Sequence, residues 1–229
     1  LAGVSITGCS AANIVGGSAT CDWTPAGAIS AQDITAIYSG DGTYTTSTTS
    51  AISFTVITNA TSGTLTAIDS NSVDAFTTDE VYGSTITLQY AISTSTLAGT
   101  VSTGTVSFTA DGVAISGCQN LSLVSGAATC SWTTGGVANT SIQATYSGDA
   151  TYATTNSSDV INVIAAIMPS ASISGVTAPV TGATPVTTAT ITAGTATVTW
   201  SPNDSKFKAG TAYTATITIT PSSNYTVSG

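Results

Sequence analysis

Apolar and polar residues alternate with a period of two along much of the chain, which is the pattern of β-strands that bury one face. Within each stretch between residues 62 and 166 the apolar positions share one parity, and the other positions are mostly Thr, Ser and Gln. The clearest apolar sets are Ile86, Leu88 and Tyr90; Val106 and Phe108; and Ile142, Ala144 and Tyr146. The predicted strands are TLTAID, STITLQYAIS, TGTVSFTA, GVAISG, AATCSW, TSIQATYS and VINVIAA. Since no stretch has helical periodicity, the sequence predicts an all-β fold.

An internal repeat divides the chain. GSATCDW at 17–23 recurs as GAATCSW at 126–132, and ITAIYSGDGTY at 34–44 recurs as IQATYSGDATY at 142–152. A period near a hundred residues fits one β-sandwich per repeat and is too long for a solenoid. The sequence therefore predicts tandem sandwiches: a partial domain at 1–60, a complete domain at 61–166 and a third sandwich of a different type at 167–229, which we also expect to be incomplete.

The four cysteines occur as two matched pairs, Cys9 with Cys21 and Cys118 with Cys130, and each pair encloses a Gly-containing turn. This spacing predicts two local disulfides between adjacent antiparallel strands of a hairpin. Free buried thiols, or one metal site that uses all four thiolates, are the alternatives, although metal sites favour tighter spacing. Disulfides indicate an oxidising compartment, so we expect an extracellular or cell-surface location.

The segments TGTVSFTADG, GAATCSW and IQATYSGDATYATTNSS together resemble the bacterial immunoglobulin-like repeats of surface and secreted proteins. That resemblance implies immunoglobulin-like β-sandwiches that serve as spacer, stalk or adhesive modules, and it implies no catalysis. Residues 168–229 carry TVTWSP followed by AGTAYTATIT, which is similar to another repeat of S-layer-like and adhesin chains. The cysteine pair is an addition to the usual pattern.

Charge and missing residue types exclude several functions. The formal net charge is -9, with eleven acids, two lysines, no arginine and no histidine. A Ser-His-Asp triad is therefore impossible, and binding to nucleic-acid phosphates is not expected. The longest apolar run, at 160–168, is too short to span a membrane, so no membrane insertion is expected. We expect no enzyme activity, no catalytic residue and no cofactor.

Acidic residues and asparagines provide further candidates. Asp41 and Asp149 are predicted to cap the turn after Tyr-Ser-Gly, because Asp accepts hydrogen bonds from nearby backbone N–H groups. The acidic stretch from Asp69 to Glu80 lacks the spacing of a calcium loop, so no metal site is predicted. Asn-x-Ser/Thr triplets mark candidate glycosylation sites. These are Asn59, Asn120, Asn139, Asn156, Asn203 and Asn224.

The first unit contains no counterparts of residues 62–109, which carry about three strands of the second unit. We therefore expect it to expose apolar side chains and to be completed by strands from outside residues 1–60. Those strands come from an upstream part of the polypeptide or from a neighbouring copy, and a head-to-tail homopolymer is favoured. The side chains concerned are Val4, Ile6, Trp23, Ile34, Ala36, Tyr38 and Phe54.

Two functions are compatible with these patterns. The first is a structural rod or filament segment built from tandem sandwiches. The alternative is an adhesin or carbohydrate-binding module, which would need exposed aromatic side chains. Trp23, Trp132 and Trp200 are each in phase with inward positions, so we predict that they pack in cores rather than stack on sugars.

Overall fold

The computed structural model describes residues 3–94, 99–169 and 172–227, and within these ranges every regular element is a β-strand. The prediction of an all-β fold is therefore confirmed. Over the same ranges the chain forms no helix of the length and apolarity needed to cross a membrane.

The first unit is one antiparallel hairpin of short strands. Its strands are β1 (Ile29–Ile34), β2 (Ile37–Tyr38), β3 (Ser47–Thr48) and β4 (Ile52–Val56). β1 pairs with β4, and β2 pairs with β3. Although its apolar residues alternate, no residue between 3 and 60 is buried.

The second unit contains nine strands in two sheets. They are β5 (Thr61–Ile68), β6 (Glu80–Val81), β7 (Thr85–Thr94), β8 (Thr105–Ala110), β9 (Val113–Ala114), β10 (Leu121–Ser122), β11 (Ala127–Thr133), β12 (Asn139–Tyr146) and β13 (Thr155–Ile164). One sheet has the antiparallel order β11–β7–β5. The other has the order β10–β8–β12–β13–β6, with β9 also on β8 and β6 parallel to β13. This arrangement is an immunoglobulin-like sandwich.

The core of the second unit lies between these sheets. The predicted apolar sets from β7, β8 and β12 are fully buried, and β13 adds Ile161 and Val163. Because a large apolar side chain contributes about 1.5–3 kcal/mol when it is fully buried, this cluster is the main stabilising feature of the unit. Trp132 lies partly buried against it.

One predicted strand is shorter than expected. The segment GVAISG at 112–117 is a strand only at β9, because the chain turns at Ser116 and Gly117. Gly117 has a φ of 76°, a left-handed conformation that glycine adopts without steric cost. Cys118 closes this turn with a hydrogen bond of 3.1 Å from its N–H to the carbonyl of Ile115.

The disulfide of the second unit links the two sides of the sandwich. Cys118 accepts a hydrogen bond of 3.0 Å at its carbonyl from Phe108 in β8, whereas Cys130 lies in β11 of the other sheet. Their Cα atoms are 5.5 Å apart. The prediction that the cysteines lie on adjacent strands of one hairpin is therefore wrong, because the chain crosses between sheets in the intervening loop. The other bond joins Cys9 to Cys21.

The third unit has a three-stranded antiparallel sheet and a short parallel pair. Its strands are β14 (Ala166–Ile167), β15 (Thr188–Ala189), β16 (Gly194–Ser201), β17 (Thr214–Pro221) and β18 (Tyr225–Thr226). The sheet order is β15–β16–β17, and β14 pairs with β18. Ala196 and Val198 are buried, and Phe207 packs edge-on between the rings of Trp200 and Tyr213.

We expect Gly63→Ala to destabilise the second unit by about 1–3 kcal/mol, which is the usual cost of overpacking a core. A Cβ atom at residue 63 would overlap the phenol ring of Tyr90, which is fully buried. Gly136→Ala is the matched control, since a Cβ atom there meets nothing within 4 Å. Urea unfolding measures both variants, and equal free energies of unfolding would contradict the prediction.

Replacing Cys118 and Cys130 with alanine should lower the stability of the second unit by about 2–3 kcal/mol, because the disulfide closes a short loop. The double alanine variant of Cys9 and Cys21 should leave the same unfolding transition in place, since residues 3–60 bury no side chain. Calorimetry under non-reducing conditions compares the two. A larger effect of the Cys9 and Cys21 pair would argue against this ranking.

Candidate assembly interface

A turn with the sequence Tyr-Ser-Gly-Asp occurs in the same form in the first two units. In the first, Asp41 Oδ1 accepts hydrogen bonds from the N–H groups of Thr43 and Tyr44 at 2.7 and 2.8 Å. In the second, Asp149 Oδ1 accepts from Thr151 and Tyr152 at 2.7 and 2.9 Å. The prediction that both aspartates cap this turn is confirmed.

The turn of the second unit also receives the chain that leaves the first. Asn59 forms a parallel bridge with Tyr152. Its N–H donates to the carbonyl of Thr151 at 2.7 Å, and its carbonyl accepts from the N–H of Ala153 at 2.9 Å. A further contact comes from Ala28, whose N–H donates to the carbonyl of Ala150 at 3.2 Å. We call the pairing of Asn59 with residues 151–153 the first joint.

The connection between the second and third units has the same geometry. Ala166 pairs in parallel with Tyr225, and its N–H donates to the carbonyl of Asn224 at 3.0 Å. Met168 donates from its N–H to the carbonyl of Thr226 at 2.8 Å. The ring of Tyr225 also packs edge-on against Tyr82, with ring centroids 5.5 Å apart. We call the pairing of Ala166–Met168 with residues 224–226 the second joint.

The first unit leaves unpaired the strand positions that the second unit fills. In the second unit β12 lies between β8 and β13, and β11 pairs with β7. In the first unit the counterparts of β12 are β1 and β2, and among the described strands they have a partner only on the side of β4 and β3. Residues 18–24, the counterpart of β11, form no ladder with another described strand, apart from the bridge of Ser18 to Val15 across its turn. The first unit is thus half of the arrangement seen in the second.

An open depression lies beside the tryptophan of the first unit. It has a volume of about 690 Å³, and Trp23, Gly27 and Ile29 are among the residues that line it. The Trp23 ring packs edge-on against Phe54, with centroids 5.8 Å apart, yet both side chains are only half-buried. The described residues of the first unit therefore do not enclose this aromatic pair.

Acidic side chains near the start of the second unit serve local structure. Asp69 accepts hydrogen bonds from the N–H groups of Asn71 and Val73, and Asp74 accepts from Phe76. Burial, and then the nearby charge of Asp69, raise the pKa of Glu80. Among the described residues no three His, Cys, Asp or Glu side chains come together as a metal site.

The candidate glycosylation sites fall into two groups. Asn120, Asn139, Asn156 and Asn203 are exposed, so their amides face solvent. Asn59 and Asn224 lie in the two joints, and the Asn59 side-chain amide donates to the carbonyl of Thr151 at 3.0 Å. Glycosylation stays a prediction at all six, and the joints oppose it at Asn59 and Asn224 because a sugar there would crowd the pairing.

Two features are not predicted from the sequence. The joints are formed by backbone groups, which every residue has. Asn59 and Ala166 make equivalent pairings although their side chains differ, so no residue type marks a joint in the sequence. In the third unit Asp204 binds Lys208 at 2.6 Å and accepts from the Tyr213 hydroxyl at 2.7 Å. The i, i+4 spacing of Asp204 and Lys208 predicts an ion pair only on a helix, and both residues lie in a loop, so the sequence carries no signal for it.

The comparisons with known proteins agree with this fold. Residues 73–166 match the family model of the bacterial Ig-like domain, group 3. No curated protein and no solved structure matches the chain. The matched segment runs from the residues before β6 to the start of β14 and includes both cysteines of the second disulfide. The likeness to a bacterial immunoglobulin-like domain is therefore shown for residues 73–166, which make up most of the second unit.

Proposed function

We propose that this chain is a structural segment of an extracellular rod built from tandem immunoglobulin-like sandwiches. In this proposal, β-strands from outside residues 1–60 complete the sandwich of its first unit. Bacterial immunoglobulin-like domains generally have structural rather than enzymatic roles, and both these domains and disulfides are typical of extracellular proteins. The observation that carries the proposal is the contrast between a second unit with a continuous core and a first unit in which none of residues 3–60 is buried.

The first unit has strand edges to which an incoming strand can pair. Among the described strands, β1 and β2 present one unpaired edge, and residues 18–24 present another. A strand beside β1 and β2 would occupy the place that β8 has beside β12, and a strand beside residues 18–24 would occupy the place of β7. Open edges of this kind pair readily with other chains, and added strands bring both backbone hydrogen bonds and side-chain burial.

A comparison of two equivalent tyrosines supports this placement of an incoming strand. The Tyr146 hydroxyl donates to the carbonyl of Thr103 at 2.9 Å, just before β8 begins, and burial raises the pKa of Tyr146 to about 12. Tyr38 is its counterpart, and its hydroxyl instead donates to Asp41 Oδ2 at 2.8 Å. An incoming strand in the place of β8 would offer Tyr38 the carbonyl that Tyr146 uses.

We favour a neighbouring copy as the source of the strands, because strand donation into the open first unit would link the copies head to tail into a filament. An upstream part of the same polypeptide is the other source. The adhesin alternative would use Trp23 and the depression beside it. Trp132, the counterpart of Trp23, packs against the core of the second unit, so we assign Trp23 to assembly rather than to a ligand.

Self-assembly is tested by sedimentation and small-angle scattering over a range of protein concentrations. We expect elongated particles that lengthen with concentration, because the open edges pair between copies. Phe54→Asp, which places a charge on the inward face of β4, should abolish the growth, whereas Thr55→Asp on the outward face should not. Particles of constant size with rapid amide exchange over residues 3–60 would assign the strands to an upstream part of the polypeptide. Constant size with protected amides there would overturn the proposal.

Tyr38→Phe should raise the pKa of Asp41. The N–H groups of Thr43 and Tyr44, and then the Tyr38 hydroxyl, hold the pKa of this carboxyl below its usual range. The carboxylate therefore supports its turn fully above the usual pKa of Asp, and the support is lost as the pH falls through the lowered pKa. Without the hydroxyl, that loss should occur at a higher pH.

Tyr146→Phe is the matched control, because the Tyr146 hydroxyl binds the Thr103 carbonyl rather than Asp149. Carboxyl ¹³C titration by NMR measures both aspartates. An unchanged Asp41 pKa in Tyr38→Phe would show that the hydroxyl of Tyr38 has another partner in solution.

A further inference from the structure

The two joints are the same contact made twice. In both, the chain leaves the last strand of one unit and pairs in parallel with the tyrosine that follows the turn of the next unit, Tyr152 or Tyr225. The donor residues are Asn59 and Ala166. Each lies three residues after the last inward-facing valine of the preceding strand, which is Val56 for Asn59 and Val163 for Ala166. The acceptor is in both cases the carbonyl of the residue before the tyrosine.

The first unit has the same turn, and among the described residues no chain segment pairs with it. Tyr44 is the counterpart of Tyr152, and it is 68% exposed, whereas Tyr152 is packed against the core of the second unit. Within the described ranges no hydrogen bond uses the carbonyl of Thr43 or the N–H of Thr45. These groups correspond to the carbonyl of Thr151 and the N–H of Ala153, which hold Asn59.

We propose that the backbone of Thr43–Thr45 is a docking edge for the exit segment of another immunoglobulin-like unit of this kind, which pairs with Tyr44 in parallel. An N–H of the exit segment donates to the carbonyl of Thr43, and the N–H of Thr45 donates to a carbonyl of the segment. This inference rests on the proposed function, for which it names the contact between successive units.

An extended polypeptide fits this edge better than a sugar or a small molecule. The edge offers one carbonyl and one N–H that lie two residues apart on one side of the chain, which is the spacing of a β-ladder. Because Asn59 and Ala166 occupy equivalent places, the contact accepts different side chains and selects for extended backbone. The capping of Thr43 and Tyr44 by Asp41 holds the edge in shape before a partner arrives.

The test adds to the full chain a peptide with the sequence of residues 161–168, which carries two extra lysines at its amino end for solubility. NMR follows the amides of Thr43–Thr45, and Ala153 serves as an internal reference that is already hydrogen-bonded. We expect Thr45 to exchange faster than Ala153 in the free chain. The peptide should shift the Thr43–Thr45 signals and slow the exchange of Thr45.

Two methylated peptides provide the matched control. Methylation of the nitrogen of Ala166 removes the donor to the Thr43 carbonyl and should weaken binding by roughly fivefold, the effect of one net hydrogen bond. Methylation of Ala165 should leave binding unchanged, because successive N–H groups of an extended strand point to opposite sides. Equal binding by both methylated peptides, shifts elsewhere in the chain, or no binding would each overturn the docking edge.

Failure of this inference is distinguishable from failure of the proposed function. If the chain forms particles that lengthen with concentration while the peptide does not bind, units join through strand completion alone. If the peptide binds and Tyr44 becomes protected while sedimentation shows a closed monomer, the docking edge holds and the filament does not.

Discussion

The burial of one strand, β12, between neighbours on every side determines the structure of the second unit. Ile142, Ala144 and Tyr146 are fully buried because β8 and β13 flank the strand and apolar side chains of the opposite sheet belong to the same core cluster. Ile34 and Tyr38 occupy the same pattern in the first unit, yet both are only half-buried. Burial is thus set by the strands around a sequence rather than by the sequence of the strand itself, and it provides most of the stability of such a domain.

The Tyr-Ser-Gly-Asp turn, in contrast, depends only on local contacts. Asp41 and Asp149 accept the same pair of hydrogen bonds from backbone N–H groups two and three residues ahead, although one unit has a core and residues 3–60 of the other bury no side chain. A glycine with positive φ precedes each aspartate, at Gly40 and Gly148. The turn can therefore form before the sandwich closes, and it offers a fixed edge to whatever chain approaches it.

This difference explains what could be predicted from the sequence. Strands, inward faces and turn caps follow from residue types within a few positions, so the core set around Tyr90 and the role of Asp149 were predictable. The position of Cys118 was not predictable, because spacing alone suggests the nearest hairpin. The hydrogen bond from the N–H of Phe108 to the carbonyl of Cys118 places this cysteine beside β8 instead. β6 has only two residues, which pair in parallel with β13, and a strand this short has no periodicity to detect. The joints were also hidden, since backbone groups form them.

Backbone pairing at the joints has a mechanical consequence for a tandem array. A linker that is free in solution acts as a flexible chain, and the units it connects reorient independently. Here the chain passes from β4 through Asn59 into β5, and from β13 through Ala166 toward the third unit, with hydrogen bonds to the next turn in each case. Each joint thus replaces the free linker with strand pairing that fixes both its length and its direction. Because this pairing needs no particular side chain, units of different sequence can follow one another through the same kind of contact, as the second and third units do.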